Sequence, residues 1–306
     1  MYIRKRSAAA AATALFCGLS ASSATPVTPA PEPTPQYLAI GAGRIAYDDP
    51  GGSGPLVIAI PGMGDLRSEY RMLRPVLQQA GYRVVTMDLR GMGDSSAQWD
   101  DYSAHAVGRD ALALVARLDA GPAVLLGNSF AAGAALWAAH DAPERVSGVA
   151  LLGPVLRDAP PNWLARAALR LGFAGPWNVW AWTSYWNSLF PSRKPADQER
   201  VREELSRNLR EPGRMRALQI MVERSKADTT AMLPTSRVPA LVVMGTRDPD
   251  FADPLAEAQW IQDQIGAQRL MVEGAGHYPH TEMPEQVAPV LLAFLAHLRG
   301  PDSGSP

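Results

Sequence analysis

A single cysteine, Cys17, stands in the 306 residues, and it lies near the N-terminus. The rest of the chain therefore has no disulfide, no thiolate nucleophile and no cysteine-based metal site. Basic residues do not run together with interleaved aromatics in the body of the chain, and the formal net charge is −1. That removes the usual electrostatic footprint of a nucleic-acid binder. The scattered carboxylates show no metal-ligand spacing. The apolar run Ser7–Leu19 is too short to span a bilayer as a mature helix. Internal repeats are missing. What is left is an ordinary globular composition, long enough for one large α/β domain with an insertion or for two small domains.

The N-terminus reads as an export signal. Arg4, Lys5 and Arg6 form a basic start, Ser7–Leu19 is small and apolar, and Ser22-Ser23-Ala24 offers a small-residue cleavage site. Residues 1–24 then form a signal peptide, which places the mature protein in the periplasm or outside the cell, with no stable membrane insertion after cleavage. Cys17 raises a lipoprotein reading, and Phe16 before it argues against one, because that position wants a small side chain. Residues 25–36 are a Pro-rich tether with nothing to bury.

From Tyr37 the pattern predicts strands at Tyr37–Ile40, Arg44–Tyr47, Pro55–Ile60, Arg83–Met87, Ala123–Gly127 and Val146–Leu152. Helical stretches at Ser68–Gln79, Ala106–Leu118 and Ala131–His140 alternate with them. This alternation implies a mostly parallel sheet covered on both faces. Residues 154–236 carry no strand signal. They hold five of the eight tryptophans (Trp163, Trp177, Trp180, Trp182, Trp186) and helical stretches at Ala196–Arg210 and Arg214–Ala227. We read 37–153 and 237–299 as the two parts of one core, 154–236 as a helical cap over it, and 300–306 as a disordered tail. The second part supplies strands at Pro239–Gly245 and Gln268–Glu273 and helices at Pro254–Ile265 and Pro284–Leu298.

The stretch Ala123–Gly133, Ala-Val-Leu-Leu-Gly-Asn-Ser-Phe-Ala-Ala-Gly, reads as strand, sharp turn and helix, with Ser129 at the turn. Such a turn strains its central residue and lifts the hydroxyl above the sheet next to a helix N-terminus. The plainer account is a serine N-cap after a buried strand. Ser129 needs a base, and after the leader the chain holds His105, His140, His277, His280 and His297. His277 stands in Gly274-Ala275-Gly276-His277-Tyr278-Pro279, a loop after the last strand, where a side chain reaches across the carboxyl edge of a parallel sheet. The histidine needs a carboxylate to fix its tautomer. Asp248 follows the strand ending at Gly245, and Asp250 competes with it; a surface Asp-Pro turn explains either one.

The order Ser129, Asp248, His277, each at the end of an inferred strand, resembles the α/β-hydrolase superfamily from about Tyr37 to Leu298. Pro61-Gly62-Met63-Gly64 is similar to its oxyanion loop and Asp88-Leu89-Arg90-Gly91-Met92-Gly93-Asp94-Ser95 to its Asp-x-x-Gly-x-Gly-x-Ser segment. Gly276-His277 with Glu282 and Pro284 is similar to its terminal motif. Pro61 stands where many members have His, and Ala131 replaces Gly in Gly-x-Ser-x-Gly. The resemblance implies that Ser129 attacks a carbonyl, that His277 takes its proton and that Asp248 orients His277. It also implies that the backbone N–H groups of Met63 and Phe130 hold the oxyanion. No cofactor and no metal is required.

Other readings compete with this one. The glycines after two strands do not make a dinucleotide fingerprint, because Arg67 and Ser96 occupy the third-glycine places. Dehalogenases and epoxide hydrolases of the resembled fold attack with aspartate, and this chain has Ser129. Among serine members the alternatives are ester, amide or carbon–carbon bond hydrolysis and perhydrolysis. A non-catalytic binding protein on a retired hydrolase fold belongs to a different class. The expectation is a small-molecule partner: a small to medium, apolar carboxylic ester, held by Met63, Trp182, Trp186 and Tyr278 under a Trp-rich roof. Oligomeric state is not legible.

Overall fold

A computed structural model describes residues 34–158, 167 and 171–299. The leader, all of the tether before Thr34, Trp163 and the tail at 300–306 lie outside the described residues. Eight strands form one sheet: β1 (Gln36–Ile40), β2 (Gly43–Asp48), β3 (Leu56–Ile60), β4 (Arg83–Met87), β5 (Ala123–Asn128), β6 (Val146–Leu152), β7 (Ala240–Gly245) and β8 (Gln268–Val272). Their order is β1-β2-β4-β3-β5-β6-β7-β8. β1 and β2 pair antiparallel to each other, and β2 pairs antiparallel to β4. The strands from β4 to β8 run parallel.

Alternation along each strand sorts the core into two layers, as a period of two requires. Ile58, Ile60 and Leu125 point to one face and pack with α2 (Ala104–Leu118), α3 (Phe130–Asp141) and α8 (Pro254–Ile265). Val57, Ala59, Val124 and Leu126 point to the other, toward α1 (Arg74–Gln79) and α9 (Pro284–Leu298). Each fully buried aliphatic side chain contributes about 1.5–3 kcal/mol. β5 is buried along its whole length between β3 and β6, so Ser129 leaves the sheet from a strand held on both edges.

Element ends follow local chemistry. The Ser103 hydroxyl accepts the Ala106 N–H and starts α2 two residues before the expected Ala106. Asp253 caps α8, Pro254 opens it, and Gly266 at φ 68° closes it. The single helix expected over Ser68–Gln79 is broken into a 3₁₀ turn, Arg67–Arg71, and α1. Pro75 explains the break, since its ring would clash with the carbonyl of Arg71 in a continuous helix.

Between β6 and β7 the described residues contain no strand. They form α4 (Asn178–Ser188), α5 (Gln198–Leu209), α6 (Arg214–Glu223) and α7 (Ala227–Met232). The helix expected over Arg214–Ala227 ends at Glu223 because Arg224 is extended. Asp158 holds that break by accepting from the Ser225 hydroxyl (2.5 Å) and the Lys226 N–H (3.0 Å). Among the described residues no helix is long and apolar enough to cross a membrane. Ser129, Asp248, His277 and the Gly62-Met63 loop all follow the carboxyl ends of parallel strands, so they gather on one edge of the sheet.

Candidate active site

Ser129 adopts φ 55° and ψ −120°, and among the described residues only Asp119 shares a positive φ without being glycine. Its hydroxyl makes no cap hydrogen bond to α3, so the N-cap account of this serine fails. Strain of this kind costs of the order of 1–3 kcal/mol and persists only where the surroundings over-determine it. Here they do: the Ser129 N–H donates to Leu152 O (2.9 Å), and Ser129 O accepts from Ala132 N–H and Val155 N–H (both 3.2 Å). Gly127 is obligatory, because a Cβ there would lie 2.3 Å from Ala131 O. Ala131 itself is fully buried without conflict, which explains why the second small residue need not be glycine.

His277 Nδ1 lies 2.8 Å from Asp248 Oδ2 and 3.6 Å from Asp250 Oδ2. Asp248 is buried and its Oδ1 accepts the Asp250 N–H (3.0 Å), whereas Asp250 is exposed and its Oδ1 takes the Tyr185 hydroxyl (2.6 Å). Geometry thus favours Asp248 as the partner of His277. Burial opposes charge on the imidazole, and the Asp248 and Asp250 carboxylates outweigh it, raising His277 to about 9. The His277 loop is fixed from both sides. The Gly276 N–H donates to Glu282 Oε2 (2.7 Å) and the His277 N–H to Leu189 O (3.0 Å). Asn128 beside Ser129 donates to Leu152 O (2.9 Å) and His277 O (3.2 Å), tying the serine turn to the histidine loop.

The loop after β3 crosses directly over the serine. A Cβ on Gly62 would sit 2.7 Å from Asn128 Oδ1 and 3.4 Å from Ser129 Cβ. Among the described residues, neither the Met63 nor the Phe130 N–H is used by a turn or a side chain. Phe130 opens α3, where the first amides have no intrahelical acceptor. The loop is anchored from behind: the Gly62 N–H donates to Glu69 Oε2 (2.8 Å), and Glu69 Oε1 lies 2.9 Å from His280 Nε2. Trp182 Nε1 donates to Gly64 O (3.1 Å) and Trp186 Nε1 to Asp65 Oδ2 (2.8 Å). Burial raises Asp65 to about 7 and Glu69 to about 8, and lowers His280 to about 3. Near neutral pH, then, Glu69 is a carboxylic acid facing a neutral imidazole. This network went unread in the sequence.

A cavity of about 510 Å³ opens at this edge, lined by Ser129 and His277 together with Met63, Trp182, Tyr185 and Tyr278. Three of the four expected substrate-binding side chains therefore reach it. Trp186 does not: it is 2% exposed and turned into the protein against Asp65, because its indole N–H is the donor that carboxyl takes. As for a metal, the donor atoms of Asp248, Asp250 and His277 lie within 4.8 Å of one another, the sole such group among the described residues. His277 Nδ1 is already turned to Asp248, and Asp250 Oδ1 to Tyr185.

The family model for the alpha/beta hydrolase family matches residues 57–290, which takes in the serine turn, both carboxylates and the histidine loop. The chain belongs to that family. This hydrolase is 28% identical over 259 residues to a probable esterase of Oryza sativa subsp. japonica, covering 79% of this chain and 92% of that one. A solved thermophilic esterase from Thermogutta terrifontis superposes with a TM-score of 0.70 at 24% identity, over 87% of this chain and 100% of the other. A bromoperoxidase from Bacillus anthracis gives 0.74 at 18% identity, over 86% and 100%. At these identities the two solved structures speak for the fold.

Proposed function

We propose that this hydrolase cleaves a small to medium carboxylic ester with a largely apolar acyl group, through an acyl-enzyme on Ser129. The observation that carries the reading is the strained, uncapped Ser129 sharing one cavity with a His277 that is itself held by Asp248. With Nδ1 turned to Asp248, the other ring nitrogen, Nε2, is left to take the serine proton as Oγ attacks the carbonyl. The same nitrogen then gives the proton to the leaving alcohol, and water repeats the sequence to release the acid. The N–H groups of Met63 and Phe130 receive the charge on the tetrahedral oxygen. The helices between β6 and β7 act as the cap, and Trp182 is part of its roof. Export by the leader places this reaction in the periplasm or outside the cell.

Ser129, where epoxide hydrolases of this fold have aspartate, favours acyl transfer over epoxide opening. Reaction of the purified protein with a fluorophosphonate tests the reading. One equivalent should be bound, with the added mass on the Ser129 peptide, and none should bind to Ser129→Ala. A folded protein that takes up no label would favour the binding-protein alternative.

The pH profile gives a second test. His277 works as a base only when neutral, and its pKa of about 9 means that it is mostly protonated at pH 7. The value of kcat/KM should therefore rise about tenfold per pH unit below that point and level off above about 9. A plateau already reached at pH 7 would contradict it.

A further inference from the structure

Lysine is rare in this chain: Lys5, Lys194 and Lys226 are the three among 29 basic residues. One of them, Lys226, lines the cavity that holds Ser129 and His277, and it is the one Lys or Arg among the described lining residues. Its surroundings there are mostly apolar, with Phe173, Trp182, Leu189 and Val222 among the walls. The side chain is 17% exposed, and its nearest carboxylate oxygen, Asp158 Oδ1, is 3.9 Å from Nζ, too far for a hydrogen bond. Asp158 is engaged with the Ser225 hydroxyl and the Lys226 backbone N–H. Asp250, the acid in the lining, is taken up by Tyr185 and the approach to His277. The ammonium has thus lost much of its water without gaining an acceptor among the described residues. Burial pulls its pKa down, and Asp158 and then Asp250 pull it back.

We infer that Lys226 is a specificity residue that receives an anionic group on the substrate, so that the preferred ester is amphiphilic: an apolar chain with a carboxylate, or a group of similar charge, away from the scissile bond. A rotatable point charge on a flexible stem suits this better than a rigid guanidinium fork. The inference rests on the ester-hydrolase reading and narrows its substrate class.

The test compares mono-4-nitrophenyl esters of the C4 to C8 diacids with neutral 4-nitrophenyl esters of equal chain length, on wild type, Lys226→Met and Lys226→Arg. The ratio of the two kcat/KM values on one sample cancels any difference in folded enzyme. A charge-assisted hydrogen bond predicts that Lys226→Met lowers the anionic-to-neutral ratio by roughly ten- to a hundredfold, through KM, with Lys226→Arg keeping most of it. A ratio unchanged by Lys226→Met at every chain length overturns the inference. Binding of monomethyl adipate and of methyl hexanoate to Ser129→Ala, with and without Lys226→Met, is followed by tryptophan fluorescence, since Trp182 lines the cavity. It supplies the same ratio without turnover. If wild type cleaves no ester while the binding ratio still depends on Lys226, the hydrolase reading falls and the anion site stands.

Discussion

On the proposed mechanism, Asp248→Asn is expected to lower kcat by on the order of 10⁴-fold, as loss of the orienting carboxylate does in serine hydrolases built on a Ser-His-Asp triad. Asp250→Asn should change the plateau value by about tenfold or less, the equivalent of one unit of imidazole pKa. The two residues are only two positions apart, so the sequence could not separate them, and the difference lies in burial and distance. Asp248 is buried with an oxygen 2.8 Å from Nδ1, and the Asp250 amide fixes its other oxygen. An amide at position 248 can face Nδ1 with its NH₂, which selects the wrong tautomer and leaves Nε2 protonated when it should accept. Asp250 sits at 3.6 Å, held by Tyr185, and acts on His277 through its charge. Removing that charge should lower the His277 pKa and move the rising limb of the pH profile to lower pH. Steady-state kcat across pH 6–10 on both variants reads the two effects separately. A 10⁴-fold loss in Asp250→Asn with a mild effect in Asp248→Asn would reverse the assignment.

The core was legible because its signals are local. Arg83–Met87 and Val146–Leu152 have the same bounds in the sequence pattern and in the structure, since buried parallel strands are continuous apolar runs closed by turn residues. That Ser129, Asp248 and His277 come together at one edge of the sheet was legible for the same reason, since each follows such a run. The break at Pro75 has a local signal in the proline itself, which the helical spacing on either side masks. What was not legible is what depends on distant partners. Glu69 and His280 are 211 residues apart in the chain, and nothing near either one announces the other. Trp186 shares helical spacing with Trp182, and only the fold decides that one faces the cavity and the other Asp65. Lys226 resembles any solvated lysine until the α6–α7 break turns it inward.

The Glu69 contact carries the other large expectation. Glu69→Ala should reduce kcat by roughly 10²- to 10³-fold, the range seen when one oxyanion donor is lost elsewhere. The Gly62 N–H would lose the acceptor it has and His280 Nε2 the carboxyl it faces, both in a buried place. In the proposed mechanism the Met63 amide next to Gly62 is the oxyanion donor, and its position would then drift. Leaving a buried donor unmade also costs about 1–3 kcal/mol of stability, so the melting temperature should fall. A lower Tm alone would mean that Glu69 only supports the fold. The distinguishing variant is Glu69→Gln, whose amide oxygen can still accept from Gly62 and whose NH₂ can donate to His280 as the neutral acid does. It should retain kcat to within about tenfold, the cost of one imperfect hydrogen bond. The sign of the pH effect on stability supplies an independent check. With a folded-state pKa of about 8, above its unfolded value, Glu69 favours the folded state when protonated, and that contribution is lost as pH rises from the unfolded pKa toward 8. Glutamine cannot titrate, so the drop in Tm between pH 6 and pH 8 should be smaller in Glu69→Gln than in wild type. His277, raised to about 9, still loses its own contribution over pH 6.5–9, so the drop should shrink without vanishing. Equal drops in the two proteins would mean that Glu69 is already ionised in the folded state, and that its hold on Gly62 is that of a buried carboxylate.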